Sequence, residues 1–214
     1  MIDAVIFDIG NVLLKFDYLV AAHRLMEHNG LAELPDRAPI VAAKELLEGG
    51  RIDRAEFLRL VRPEFSHAGT DAEFIAMWED IFEENQPMAR TAIALAAHGV
   101  PTFLLSNISC IHHDFIFRTY PVFRTFRDGV FSYRAGALKP EPRIYEIALA
   151  QFGVDPARTL FIDDLAPNIA AAEQFGLQGL VYDHHNHLAA ENRLRESGFD
   201  FVTESQWTDS RPTV

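Results

Sequence analysis

The chain has 214 residues, of which 49% are hydrophobic and 23% are charged, a composition typical of a globular protein with one or two domains. With 19 basic and 31 acidic residues, its net charge is −12. Such an acidic surface repels the phosphates of nucleic acids and anionic lipids, so we expect neither nucleic acid nor a membrane as a main partner.

The sequence also carries little sign of export or of membrane insertion. No stretch approaches the roughly 20 apolar residues of a membrane span, and Asp3 and Asp8 interrupt the apolar run at the N-terminus. The single cysteine, Cys110, excludes an intramolecular disulfide. We therefore expect a cytoplasmic location.

The first predicted strand lies at residues 3–8, a short and continuously apolar run with β-branched residues. Continuous hydrophobicity suits a strand that is buried on both faces of a parallel sheet. Similar runs follow later in the chain, at residues 100–105, 159–162 and 179–182.

The segment after the first strand, residues 16–86, reads differently, because it contains helical patterns and no convincing strand. Helices are predicted at residues 38–47, 54–61 and 71–84. The last of these has apolar residues at the spacing of one helix face: Phe74, Met77, Trp78, Ile81 and Phe82. We predict that residues 16–86 form a helical cap.

Helices also alternate with the later strands. Their patterns cover residues 88–98, 140–152 and 167–175, and each is followed at once by a glycine, a residue that favours helix termination. Alternating strands and helices predict a doubly wound α/β core with a parallel sheet, made of residues 1–15 and 87–214.

Polar residues stand where several of these strands end. The first predicted strand ends at Asp8, the second at Ser106 and Asn107, and the third at Asp163 and Asp164. In open parallel sheets, ligands bind outside the carboxyl ends of the strands, so these side chains should converge.

Lys139, one of only three lysines against sixteen arginines, precedes a predicted helix and would add a compact positive charge to this edge. Clustered carboxylates repel each other unless a cation neutralises them, and a few carboxylates with water suit Mg²⁺. A carboxylate such as Asp8 can attack phosphorus and form an aspartyl-phosphate. Lys139 and the hydroxyl of Ser106 would then hold the phosphoryl oxygens, with donors from the backbone near Gly10 and Asn11. The pattern favours a phosphotransfer site.

These residues resemble the four signature motifs of the haloacid dehalogenase superfamily, in the order and with the cap position of that family. The four stretches are residues 7–13 around Asp8, residues 104–107 around Ser106, Lys139-Pro140, and residues 161–168 around Asp163 and Asp164. The match spans residues 1 to about 183. The forms of the first and last motifs are most similar to bacterial sugar-phosphate phosphatases, such as α-D-glucose-1-phosphate phosphatases.

The resemblance implies a role for each matched position. Asp8 would be the nucleophile and, with the backbone carbonyl of Gly10 and Asp164, a ligand of Mg²⁺. Asp163 would bind the metal directly or through water. Lys139 and Ser106 would bind the phosphoryl group, with Asn107 beside them. The implied enzyme is a Mg²⁺-dependent phosphatase of a small phosphorylated metabolite, with a sugar phosphate as the expected substrate.

One position departs from the family pattern. Most phosphatases of this family carry a second aspartate two residues after the nucleophile, which protonates the leaving group and then activates water, whereas here that position is Gly10. General acid–base help is typically worth about 10²–10⁴-fold in rate. Three explanations stay open: a leaving group that needs little protonation, a cap residue or water that replaces the acid, or a reaction other than phosphate-ester hydrolysis.

Two other reactions follow from the last explanation, and a non-catalytic member is a third alternative to a phosphatase. A haloacid dehalogenase would use Asp8 but would gain nothing from the pair Asp163-Asp164. A phosphonatase would need a cap lysine for a Schiff base, and Lys44 is the lysine well inside the cap. A non-catalytic member would close its cap on a ligand without turnover. The sequence leaves open whether Lys44 or Arg51 contacts the substrate, and what the oligomeric state is.

Overall fold

A computed structural model describes residues 2–202 of the chain. Its main sheet has five parallel strands in the order β5-β4-β1-β6-β7, and a separate antiparallel pair joins β2 to β3. The strands are β1 Ala4–Phe7, β2 Leu14–Phe16, β3 Phe82–Glu84, β4 Thr102–Ser106, β5 Asp128–Phe131, β6 Thr159–Asp163 and β7 Gln178–Val181.

The central strands are apolar along their whole length because both of their faces are covered. In β1, Val5 and Phe7 pack into the core on one side of the sheet, while Ala4 and Ile6 pack into the core on the other side. This alternation is the ordinary period of two of a strand, with both faces buried.

Helices supply the other half of each core. The helices are α1 Tyr18–His28, α2 Arg37–Glu48, α3 Arg54–Val61, α4 Asp71–Glu79, α5 Gln86–Ala97, α6 Cys110–Thr119, α7 Ser132–Ala135, α8 Pro142–Phe152, α9 Ala166–Glu173 and α10 His187–Glu196. Residues of α5, α6 and α10 belong to the first core, and residues of α8 and α9 to the second. The predicted doubly wound α/β class is confirmed.

Helices α1 to α4 lie between the paired strands β2 and β3, in a segment that we call the helical insert (residues 17–81). Its apolar side chains form a third cluster, to which Leu25, Leu47, Phe57, Phe74 and Trp78 contribute. The predicted domain limits, 1–15 with 87–214 and 16–86, stay a prediction, and Met1 and residues 203–214 lie outside the described residues.

The prediction for residues 71–84 was wrong at its C-terminal end. Helix α4 ends at Glu79, and Phe82–Glu84 form strand β3 instead. The apolar spacing continues past Asp80 because Ile81 is still buried in the insert cluster, but the backbone has already left the helix. Pairing with β2, which is distant in sequence, decides the conformation here.

Strand β5 was not predicted from the sequence. It begins with Asp128 and Gly129, two residues that are depleted in strands, and it is stabilised by parallel pairing with β4. Among the described helices, none has the length and the apolar character that crossing a membrane would need.

Candidate active site

Three neighbouring strands end at the same edge of the main sheet and bring polar residues together there. Strand β1 lies between β4 and β6, and Asp8, Ser106 and Asp163 stand at their carboxyl ends. One carboxylate oxygen from each of Asp8, Asp163 and Asp164 lies within 4.8 Å of the other two, and this is the one such group of possible metal ligands in residues 2–202. The predicted convergence of the strand ends is therefore present.

Lys139 lies between two of these carboxylates. Its Nζ is 2.8 Å from Oδ1 of Asp8 and 2.6 Å from Oδ2 of Asp163, and it also donates a hydrogen bond to the carbonyl of Leu105 at 2.9 Å. The ammonium is buried, with 1% of its side chain exposed. Because a buried charge is tolerated only when it is paired, Lys139 and its two carboxylates form one electrostatic unit.

Burial dominates the electrostatics of this unit. It raises the pKa of Asp8 to about 6, although Lys139 and the hydroxyl of Ser106 pull that pKa down by stabilising the charged form. Burial would lower the pKa of Lys139, but the charges of Asp8 and Asp163 outweigh it and raise that pKa. Burial also raises the pKa of Asp164.

The chemistry of this donor set fits a hard divalent cation. The group holds three carboxylates and one ammonium, which contacts Asp8 and Asp163, so its net charge is −2 when all four groups are ionised. Hard cations prefer carboxylate oxygens, and Mg²⁺ commonly uses one or two of them with water and a phosphate.

The two adjacent aspartates of the last motif have different surroundings. Oδ1 of Asp163 accepts hydrogen bonds from the backbone N–H of Leu165 and the side chain of Asn168, and Oδ2 accepts from Lys139 and Asn168. Asp163 is fully buried. Asp164 is partly buried, and its Oδ2 accepts one hydrogen bond from the side chain of Asn11 at 3.0 Å.

The other predicted residues lie around the same point. The amide of Asn107 donates to the carbonyl of Lys139 at 2.9 Å and accepts from its N–H at 2.8 Å, so Asn107 fixes the backbone of the lysine. A Cβ at Gly10 would lie 2.8 Å from the ring of Phe16, so the ring occupies the space where a side chain at position 10 would start. Asn11 has a left-handed backbone, with φ of 53°.

The helical insert closes the other side of the site. A cavity of about 300 Å³ is lined by the residues just described and by side chains from the insert and its borders, namely Phe16, Tyr18, Lys44, Glu48 and Phe82. His112 of α6 completes this wall. Arg51 lines a neighbouring cavity, which shares Lys44, Glu48, Asn107 and Lys139 with the first.

Sequence reasoning missed four of these residues as parts of the site: Asn168, Tyr18, Glu48 and His112. Asn168 stands in the last motif, five residues after Asp163 along helix α9, and that spacing could have indicated its contact. Glu48 flanks the turn Gly49-Gly50, which was noticeable in the sequence. No local signal marks Tyr18 or His112, since their position depends on how the insert packs.

Comparison with known proteins agrees with this geometry. Residues 2–176 match the haloacid dehalogenase-like hydrolase family, so the chain belongs to that family. The predictions of a haloacid dehalogenase superfamily member and of a hydrolase are thereby confirmed.

Two characterised relatives are similar over most of their length. A sesquiterpene phosphatase of Aspergillus oryzae is 25% identical over 181 residues, which cover 83% of this chain and 88% of the relative. A D-ribitol-5-phosphate phosphatase of Bacteroides thetaiotaomicron is 25% identical over 188 residues, covering 83% and 90%.

Solved structures share the fold. A haloacid dehalogenase family enzyme of Bacteroides thetaiotaomicron, in complex with magnesium and inorganic phosphate, superposes with a TM-score of 0.71. The two chains are 24% identical, and the match covers 86% of this chain and 96% of the other.

Proposed function

We propose that this protein is a Mg²⁺-dependent phosphatase that hydrolyses a small phosphorylated metabolite, a sugar phosphate, through an aspartyl-phosphate on Asp8. The coarse class, a hydrolase of phosphate monoesters, is confirmed by the family match and by the phosphatases among the relatives. The observation that carries the finer proposal is the set of three carboxylates within 4.8 Å of one another, two of which contact a buried ammonium.

The site residues divide the chemistry between them. Asp8 Oδ would form a bond to phosphorus while the bond from phosphorus to the leaving-group oxygen breaks. The departing oxygen takes up a proton, and water then attacks phosphorus, which releases inorganic phosphate and restores the carboxylate. Lys139 and Ser106 would hold the phosphoryl oxygens in this sequence, and Asn107 keeps Lys139 in place. Gly10 has no side chain, so the proton comes from another group or from water.

Asp8, Asp164 and the backbone carbonyl of Gly10 are the groups we expect to hold Mg²⁺. When bound, the ion would neutralise the carboxylates and let an anionic phosphate approach Asp8. Three of the four hydrogen bonds that Asp163 accepts come from Lys139 and Asn168, which supports a different task for this residue, the orientation of these two side chains. Binding of the metal by Asp163, directly or through water, stays a prediction. Magnesium in the related enzyme supports the choice of ion.

The experiment is a phosphate-release assay on a panel of phosphorylated metabolites and a generic aryl phosphate, with Mg²⁺ and with EDTA. We expect turnover with Mg²⁺, its loss with EDTA, and a loss of at least about 10³-fold in Asp8→Asn, which removes the nucleophile. Turnover of sugar phosphates that survives EDTA would contradict the metal assignment. Chloride release from a 2-chloro acid, without phosphate release from any ester, would establish the dehalogenase instead.

The structure gives one specific reason to test the phosphonatase as well, because Lys44 lines the same cavity as Asp8. A Schiff base needs an amine that is free to attack a carbonyl group, whereas Nζ of Lys44 is engaged by the carboxylate of Glu48 at 2.9 Å. We therefore expect no trapping of a carbonyl substrate by borohydride. Covalent labelling of Lys44 under these conditions would favour the phosphonatase.

A further inference from the structure

We propose that Tyr18, Lys44 and Glu48, here called the polar triad, recognise the hydroxyl groups of an uncharged polyhydroxy leaving group and so determine which phosphate ester is hydrolysed. This inference rests on the proposed function, and it names the chemistry that would select the substrate in the same cavity.

The three side chains form one connected network. The hydroxyl of Tyr18 donates to Oε1 of Glu48 at 3.0 Å, and Nζ of Lys44 donates to Oε2 at 2.9 Å. The ammonium also lies over the ring of Tyr18, 4.9 Å from its centre. Burial, together with the charge of Glu48, raises the pKa of Tyr18 well above its ordinary value, so the phenol stays a donor at neutral pH.

The triad keeps hydrogen-bonding capacity for a ligand. An ionised carboxylate offers about four lone pairs and an ammonium three protons, and the network uses two lone pairs of Glu48 and one proton of Lys44. The side chains of Lys44 and Glu48 are 25% and 12% exposed, and both line the cavity of Asp8. A wall with paired donors and acceptors is complementary to hydroxyl groups, each of which is a donor and an acceptor.

The charges in this wall favour a neutral leaving group. The positive charge of Lys44 is already balanced by Glu48, so the network has no surplus charge for a second phosphate or carboxylate. The other titratable group in this wall, His112, has both ring nitrogens engaged, by the carbonyl of Trp78 at 3.4 Å and the hydroxyl of Ser109 at 3.3 Å. Arg51, in the neighbouring cavity, is the cation that would bind a second anion if the proposal is wrong.

Hydrogen bonds fix the position of the triad relative to the predicted phosphate-binding residues. The buried hydroxyl of Ser132 donates to the backbone carbonyl of Glu48 at 2.6 Å and accepts from the N–H of Ile108 at 3.0 Å. Ile108 follows directly on Ser106 and Asn107 in the chain. The end of α2 is therefore tied to the loop that carries the predicted phosphate ligands, which preorganises the distance between the two halves of the site.

The test compares matched esters and matched variants. For the wild type, Glu48→Gln and Tyr18→Phe, kcat/KM is measured on a hexose monophosphate, its deoxy analogue, the corresponding bisphosphate and an aryl phosphate. Glu56→Gln is the control, because Glu56 pairs with Arg59 on the exposed face of the same insert. Binding of the hexose monophosphate is measured by calorimetry in Asp8→Asn and in Asp8→Asn with Glu48→Gln.

We expect the wild type to prefer the hexose monophosphate over the deoxy analogue and the bisphosphate. Glu48→Gln and Tyr18→Phe should each lower the ratio of hexose phosphate to aryl phosphate activity about 10- to 100-fold, as for lost hydrogen bonds to a charged group. Glu56→Gln should leave this ratio unchanged. In calorimetry, adding Glu48→Gln to Asp8→Asn should weaken binding of the hexose monophosphate by a similar factor.

Three results would overturn the proposal: an unchanged activity ratio in both triad variants, a preference for the bisphosphate, or equal affinity of Asp8→Asn with and without Glu48→Gln. Because calorimetry measures binding without turnover, it distinguishes a failure of the triad proposal from a failure of the proposed function. Absence of turnover in the wild type would overturn the proposed function, whereas equal affinity of Asp8→Asn with and without Glu48→Gln would overturn the triad. If Glu48→Gln does not fold, Tyr18→Phe still decides the outcome.

Discussion

Lys139 illustrates what a single residue reveals in a sequence and what it does not. Its rarity in a chain that prefers arginine indicated a specific task, and its contacts with Asp8 and Asp163 agree with that interpretation. The partners that hold Lys139 were not visible, because Asn107 bonds to its backbone and Leu105 accepts from its ammonium across more than 30 positions of sequence. The type of charge is local information, whereas its partners depend on packing.

His112 provides a prediction at the same scale. Burial lowers the pKa of its imidazole to about 4, with a smaller contribution from the charge of Lys44, against the opposing effect of the Trp78 carbonyl. Since the folded pKa is below the unfolded value of about 6.5, the unfolded state binds more protons between these values. The stabilisation is complete above pH 6.5 and is lost as the pH falls towards 4.

The expected loss from His112 is about 3 kcal/mol of unfolding free energy over this pH range. In His112→Gln this part of the pH dependence should disappear, whatever the substitution does to stability at pH 7. Urea denaturation of both proteins at a series of pH values from 7 to 4 measures the difference. Parallel profiles of wild type and variant would show that His112 is not buried in its neutral form.

The turn after helix α2 is a place where the backbone of the insert approaches the backbone of the core closely. Gly50 has a φ of +66°, and a Cβ there would lie 2.4 Å from the backbone oxygen of Tyr133. The insert and the core meet at this point backbone to backbone, next to the contact of Ser132 with Glu48. A side chain at position 50 must therefore push the two apart.

Gly30 offers a matched control for this turn, with a φ of +68° and open space around its Cβ position. Gly30→Ala should cost about 1 kcal/mol for the left-handed backbone alone, and Gly50→Ala about 3 kcal/mol or a displaced insert. We expect Gly50→Ala to lower kcat/KM on the sugar phosphate and Gly30→Ala to leave it unchanged. Thermal unfolding and the phosphate-release assay measure both effects, and equal behaviour of the two variants would mean that the contact is unimportant.

The paired strands β2 and β3 show why the limits of an element are harder to predict than its type. Each strand has three residues, and the whole helical insert separates the two in the sequence. A strand of three residues is too short to show the alternating pattern of a strand in the sequence. The helical spacing of residues 71–84 also includes the residues of β3, which hides the strand. The predicted existence of α2, α3 and α4 agrees with the structure because each has at least two turns of amphipathic pattern.

At the scale of the whole molecule, the uncompensated carboxylates at the sheet edge should couple metal binding to stability. A cation that binds only the folded state stabilises it by about 2.7 kcal/mol at a concentration 100 times its Kd. We expect Mg²⁺ to raise the unfolding midpoint of the wild type in a concentration-dependent way. The size of this increase in a variant should depend on whether the substituted carboxylate has oxygens free to bind the ion.

Asp164→Asn should lose most of this increment, because it removes an expected ligand. Asp163→Asn should destabilise the protein by itself, since Lys139 loses a buried partner, but it should retain most of the Mg²⁺ increment. Calorimetric melting at several Mg²⁺ concentrations separates the two variants. The opposite order would make Asp163 the direct ligand.

The sequence by itself determined the α/β class, the convergence of Asp8, Ser106, Asp163 and Asp164 at one sheet edge, and the family. The class and the convergence follow from local periodicity and from the order of strand ends, and the family follows from the resemblance of four motifs to those of known enzymes. Only the tertiary structure decided which carboxylate oxygens are occupied and which insert side chains face Asp8. Hydrogen-bond partners and cavity walls come from segments far apart in the chain, and their contacts depend on the packing of the whole molecule.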